Sequence, residues 1–200
     1  MIEVMPMPVS YDLSTEELLT IALERREGVL ADNGALRVKT GARTGRSPKD
    51  RFIVDDAITH DTVDWGAVNQ PIDVSVFNTL WARATAHMEE RQQFVSHLHV
   101  GAADAHYLPV KVITELAWHN VFCRHLFIRP STYNPREKEA WTILNAATLK
   151  TAGSNDGVNS EMTLIINMTE RKVLLCGAMY AGEMKKAMFS IMNYLMPSRG

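Results

Sequence analysis

The stretch Tyr180-Ala181-Gly182-Glu183-Met184-Lys185-Lys186 joins two segments of opposite character, and its reading decides the fold. Before it runs Lys172 to Met179, where Val173, Leu174, Leu175 and Cys176 give the apolar, β-permissive composition of a buried strand. After it, Met188, Ile191, Met192 and Leu195 recur at spacings of three and four, the period of an amphipathic helix. Gly182 permits the sharp turn between strand and helix. The helix start would aim free N–H groups at whatever lies there, and two lysines in its first turn add positive charge where the helix dipole is already positive. That placement costs stability and points to an anionic ligand; a solvated lysine pair is the alternative. Neighbouring helical residues lie about 100° apart, so one lysine rather than both is expected to face a site.

Working outward, Met162 to Met168 is a second apolar run, separated from Lys172 to Met179 by Thr169-Glu170-Arg171, and the two predict an antiparallel hairpin. A second glycine-bearing basic stretch lies far upstream. Thr40-Gly41-Ala42-Arg43-Thr44-Gly45-Arg46-Ser47-Pro48-Lys49-Asp50 falls between a short strand, Ala35 to Lys39, and another, Arg51 to Val54. Arginine offers a planar fork of donors and glycine exposes backbone N–H groups, so the loop can hold a small carboxylate or phosphate. A plain surface loop is the other reading. No G-x-x-x-x-G-K-[ST] sequence occurs in the chain.

The remaining segments alternate helix and strand. Ser14-Thr15-Glu16-Glu17 is a capping box for a helix from Thr15 to about Glu27, which Gly28 should end. Asp32-Asn33-Gly34 reads as a turn. Asp61 to Asp73 reads as irregular, Ser75 to Arg91 as a helix, and Phe94 to Gly101 as a strand. His97 and His99 would share one face of that strand, as surface histidines or as two ligands of a metal lacking an evident third. Leu108 to Ile113 is a strand, Thr114 should cap a helix ending near His125, and Phe127 to Ile128 begins a further strand. Pro130 and Pro135 mark a loop, Trp141 to Thr148 a strand, and Thr151 to Ser160 a long loop. The pattern predicts an α/β fold (with α+β character): a mixed β-sheet with helices packed on it.

Composition excludes several classes. The 200 residues are 46% hydrophobic with a net charge of -2, which gives no electrostatic reason for nucleic acid or a membrane surface as partner. No apolar run approaches the roughly 18 residues that span a bilayer. Cys123 and Cys176 sit among apolar residues and are expected to be reduced core thiols of a cytoplasmic protein.

Thr44-Gly45-Arg46-Ser47-Pro48-Lys49-Asp50 and Tyr180-Ala181-Gly182-Glu183-Met184-Lys185-Lys186 together resemble the ATP-dependent phosphoenolpyruvate carboxykinase family. Gly28 to Leu36, Ala117-Trp118-His119-Asn120 and Met192-Asn193-Tyr194-Leu195 add to the resemblance, which runs from about Leu13 to Gly200. Ala178 and Arg51 stand where the family often has threonine and lysine.

The resemblance implies conversion of oxaloacetate and ATP to phosphoenolpyruvate, carbon dioxide and ADP, in gluconeogenesis, with Mg²⁺ and Mn²⁺. It makes Arg46 the ligand of the substrate carboxylate and Tyr180 the hydroxyl lining the same pocket. Lys186 becomes the lysine that binds Mn²⁺ near the transferred phosphoryl group of ATP, and Lys185 its cationic neighbour. A metal-bound lysine must be neutral, and a cationic neighbour lowers its pKa. The family's P-loop, metal-binding histidine and aspartate, and second substrate arginine have no counterpart here. Residues 1–200 are therefore expected to be the N-terminal oxaloacetate/phosphoenolpyruvate-binding domain, without the C-terminal nucleotide-binding domain and inactive alone. A free-standing dicarboxylate-binding or regulatory module is the alternative.

Overall fold

The computed structural model describes residues 7–130 and 139–199. In chain order the elements are β1 (Val9–Tyr11), α1 (Thr15–Glu24), β2 (Gly28–Leu30), β3 (Leu36–Val38), β4 (Arg51–Val54), β5 (Gln70–Ile72), α2 (Val74–Glu89), β6 (Gln93–Val100), β7 (Leu108–Thr114), α3 (Ala117–Leu126), β8 (Trp141–Ala146), β9 (Thr163–Asn167), β10 (Lys172–Cys176) and α4 (Gly182–Leu195). Short 3-10 turns occupy Pro48–Asp50, Gly153–Asp156 and Met196–Arg199.

Eight strands form one mixed sheet in the order β1-β6-β7-β8-β10-β9-β4-β5, and β2 and β3 form a separate two-stranded hairpin. The strands alternate their side chains between two cores. Val173 and Leu175 of β10 join Leu18 and Ala22 of α1, Trp118 and Val121 of α3, and Met184, Met188 and Ile191 of α4. Leu174 and Cys176 face the other way, onto Phe77, Leu80, Ala84 and Met88 of α2. Three helices thus cover one face and one covers the other, which is why β9 and β10 read as continuous apolar runs instead of alternating ones. Both cysteines are buried and free. Among the described residues no helix is long and apolar enough to cross a membrane.

The predicted α/β architecture with a mixed sheet is what forms, and β9 and β10 pair antiparallel as expected. The capping box is present: the Ser14 hydroxyl accepts from the Glu17 N–H and the Glu17 carboxylate from the Ser14 N–H. Several boundaries differ. Helix α1 stops at Glu24, because Arg26 takes a left-handed conformation with φ 56° and Gly28 already opens β2. Asp61 to Asp73 ends in a three-residue strand, β5, an edge position where Pro71 is tolerated. Phe127 and Ile128 make only a single bridge, between Ile128 and His99. Pro135 lies outside the described residues.

Thr114 does not cap α3; it ends β7, and its hydroxyl donates to the Leu116 carbonyl. The N–H of Trp118, in the first turn of α3, is instead satisfied by the Glu27 carboxylate, 3.0 Å away and 91 residues earlier in the chain. His97 is held by Asp12 at 2.7 Å, and His99 donates to the Gly101 carbonyl at 3.1 Å.

Candidate functional site

The sheet register brings the two basic stretches to one edge. Cys176, the last residue of β10, lies opposite Thr163 of β9, and Leu164 lies opposite Arg51, the first residue of β4. Because β9 runs antiparallel to β10 and parallel to β4, the end of β10 and the start of β4 emerge together. The loop after β10 and the loop before β4 therefore meet above the same edge. The basic loop is also where the chain crosses from the β2–β3 hairpin to the main sheet.

Direct contacts close the gap. The Glu183 carboxylate, in the first turn of α4, accepts from the Ser47 N–H at 2.8 Å. Arg51 reaches the same helix, donating to the Ser190 hydroxyl at 2.7 Å. Burial pulls the Arg51 guanidinium below its ordinary pKa, and Glu183 opposes that shift. Within the loop, buried Asp50 binds the Arg43 guanidinium and the Ser47 hydroxyl. Ser160 donates to Asp50 at 2.7 Å and accepts from Arg43 at 2.8 Å, fastening the loop to the segment before β9.

A cavity of about 400 Å³ opens beside these contacts, lined among others by Gly41, Arg43, Gly45, Ser160, Gly177 and Tyr180. Gly177 has φ 64°, and a Cβ there would stand 2.5 Å from the Glu161 carbonyl oxygen. The outer atoms of the Tyr180 ring lie against Gly182, where a Cβ would stand 2.5 Å from Cε1. His119 is fully buried, its Nε2–H donating to the carbonyl of Met179, the residue before Tyr180, at 2.9 Å. Its Nδ1 accepts from the Asn145 amide at 3.2 Å, which fixes a neutral tautomer. Desolvation lowers its pKa to about 4, against the opposing pull of the Met179 carbonyl and Glu115.

The expected site residues are placed as follows. Tyr180 lines the cavity. Arg46 is exposed on the loop, close enough to Arg51 to weaken that guanidinium's proton affinity. Lys185 is exposed, whereas Lys186 is half-buried with its Nζ 5.0 Å from the centre of the Phe189 ring. Among the described residues, Arg46, Lys185 and Lys186 have no carboxylate at ion-pair distance, while Arg43 does.

The start of α4 differs from expectation. The helix begins at Gly182, so the acidic Glu183 occupies its first turn and the lysines are its fourth and fifth residues. The N–H groups of Glu183 and Met184 are already donated to the Tyr180 and Ala181 carbonyls, so the anion-binding potential resides in the side chains and not in those amides.

Sequence reasoning gave no role to Glu183, Asp50, Ser160 or His119. Glu183 lay inside the quoted heptapeptide, and its acidity between an apolar strand and two lysines was the available signal. The structure's donor set also bears on metal binding. Among the described residues there is no group of three His, Cys, Asp or Glu side chains able to hold a metal ion. Glu183, the buried carboxylate nearest the lysines in sequence, is engaged by Ser47. A complete metal site is therefore not assembled from these residues.

The fold and site define a class: an α/β domain with a mixed sheet and a cavity at the carboxyl end of a strand, where such sheets commonly place ligands. The particular family follows from comparison with known proteins. Residues 7–200 match the family model described as phosphoenolpyruvate carboxykinase, and the chain belongs to that family. Phosphoenolpyruvate carboxykinase (ATP) of Bacillus subtilis is 45% identical over 96% of the chain. Phosphoenolpyruvate carboxykinase (ATP) 1 of Moorella thermoacetica is 44% identical over 98% of it, and that of Salinibacter ruber 40% over all of it. In each case the chain spans 37% of the relative's length.

Proposed function

We propose that this chain carries the oxaloacetate- and phosphoenolpyruvate-binding portion of an ATP-dependent phosphoenolpyruvate carboxykinase of the cytoplasm. What supports the reading is the Ser47–Glu183 hydrogen bond, which unites the two family heptapeptides, 136 residues apart, at one sheet edge. Arg46 binds the substrate carboxylate through its planar fork of donors. Tyr180, seated over Gly182, offers its hydroxyl to the same ligand. Breaking the C–C bond to the departing carbon dioxide leaves its electron pair as an enolate, whose oxygen then takes the phosphoryl group of ATP. Lys186, with Lys185 beside it, supplies positive charge where that negative charge develops.

Mn²⁺ or Mg²⁺, when bound, would polarise the enolate and phosphoryl oxygens. Lys186 is the one residue assigned toward the metal and ATP here. The other ligands, and the cradle for the ATP phosphates, belong to a nucleotide-binding domain outside these residues.

The test is titration of the 200-residue chain with phosphoenolpyruvate by calorimetry. Loss of a charge-assisted contact is expected to weaken binding in Arg46→Ala by about tenfold or more. Equal affinity of the two proteins refutes the assignment of Arg46. No ATP-dependent phosphoenolpyruvate formation is expected from the chain alone; turnover would refute the separate placement of the nucleotide site.

A further inference from the structure

Glu183 is fully buried, yet only one of its two carboxylate oxygens has a hydrogen-bond partner. Burying a carboxylate is costly, and an oxygen left without a partner adds to that cost even where a helix dipole favours the charge. The Ser47 N–H it accepts belongs to a half-buried loop residue that water could satisfy. Packing alone therefore does not explain why this acid is buried with one oxygen unsatisfied.

Its placement has a different logic. Ser47 directly follows Arg46, and Asp50 fixes the other side of the Ser47 residue through its hydroxyl. Glu183 thereby holds the loop at the residue next to the exposed arginine. The charge of Glu183 also faces Arg51, whose guanidinium is anchored on Ser190, and the Ser190 hydroxyl in turn donates to the Lys186 carbonyl at 3.1 Å. One side chain thus ties together the loop that carries Arg46 and the helix that carries Lys185 and Lys186.

We propose that Glu183 is a positioning residue: its carboxylate clamps the Ser47 amide so that Arg46 is held at a fixed distance from Lys186, in register for one anionic ligand. This rests on the carboxykinase reading for the identity of the ligand, but not for the clamp itself. A rigidly placed cation loses less entropy on binding than a mobile one.

Two variants separate reach from charge. Glu183→Asp keeps the charge beside Arg51 but is one methylene too short to reach Ser47. Glu183→Gln keeps the reach and an acceptor oxygen but removes the charge. Amide exchange at Ser47 is followed by NMR, phosphoenolpyruvate affinity by calorimetry, and global stability by urea unfolding.

Glu183→Asp is expected to accelerate Ser47 exchange and to weaken phosphoenolpyruvate binding, each by about tenfold or more. Glu183→Gln should stay within about threefold of the parent in both. The proposal is overturned if Glu183→Asp matches the parent, if Glu183→Gln is as impaired as Glu183→Asp, or if Ser47 exchange merely follows global unfolding in both. Should the parent chain bind no phosphoenolpyruvate, the assignment of ligand binding to these residues alone fails, and Ser47 exchange alone decides whether the clamp exists.

Discussion

Replacing Gly182 by alanine offers a way to separate stability from ligand binding at this site. A Cβ at residue 182 would stand 2.5, 2.8 and 2.9 Å from Cε1, Cζ and the hydroxyl oxygen of Tyr180. Ordinary carbon contact begins near 3.5 Å, so the outer half of the ring must retreat by about 1 Å. Tyr180 is only half-buried and borders a cavity, so the ring has somewhere to go. Overpacking costs about 1–3 kcal/mol, while alanine in place of glycine within a helix returns up to about 1 kcal/mol. The net destabilisation should be no more than about 3 kcal/mol, or at most roughly 12 °C in Tm for a chain of this size.

Binding should respond far more. A hydroxyl displaced by about 1 Å no longer meets a ligand held by Arg46, and phosphoenolpyruvate affinity should fall by about tenfold or more. Calorimetric titration of Gly182→Ala and Tyr180→Phe, alongside scanning calorimetry of both, makes the comparison. The two should bind similarly weakly. Parent-like affinity in Gly182→Ala would refute the claim that the glycine exists to seat the tyrosine ring.

Other outcomes follow from the same geometry. Gly177→Ala combines a left-handed backbone with a Cβ 2.5 Å from a carbonyl oxygen that cannot rotate away, and urea unfolding should show a loss of about 2–5 kcal/mol; a loss below about 1 kcal/mol would contradict this account. His119 has a folded pKa near 4 against an ordinary 6.5, so the unfolded chain binds its proton first on acidification. Its contribution is complete above pH 6.5 and is lost between there and about pH 4, amounting to roughly 3 kcal/mol. His119→Gln should lose that part of the pH dependence of urea unfolding; an unchanged profile would assign the slope elsewhere.

Much of the local structure was legible in the chain. The capping box before α1, the glycine turn at Gly34 and the antiparallel pairing of β9 with β10 each depend on residues within a few positions of one another. Their signals are correspondingly direct. The cap of α3 was misread for the opposite reason. Thr114 has the right chemistry at nearly the right place, but Glu27 arrives from 91 residues away and takes the Trp118 amide. The start of α4 was placed too late because apolar periodicity begins only after the lysines, whereas backbone geometry carries the helix back to Gly182.

The sequence by itself determined the alternation of helices and strands, the two apolar faces the helices would bury, and the two basic heptapeptides with the family they resemble. Those follow from side-chain periodicity and from motifs contiguous in the chain. Only the tertiary structure decided that the heptapeptides share one edge. That depends on β9 lying antiparallel between β10 and β4, a pairing set by sheet register across more than 100 residues. It also decided that Glu183, one more polar residue in the sequence, is buried against Ser47. The burial of a side chain is a property of everything packed around it, and no local pattern of residues contains that information.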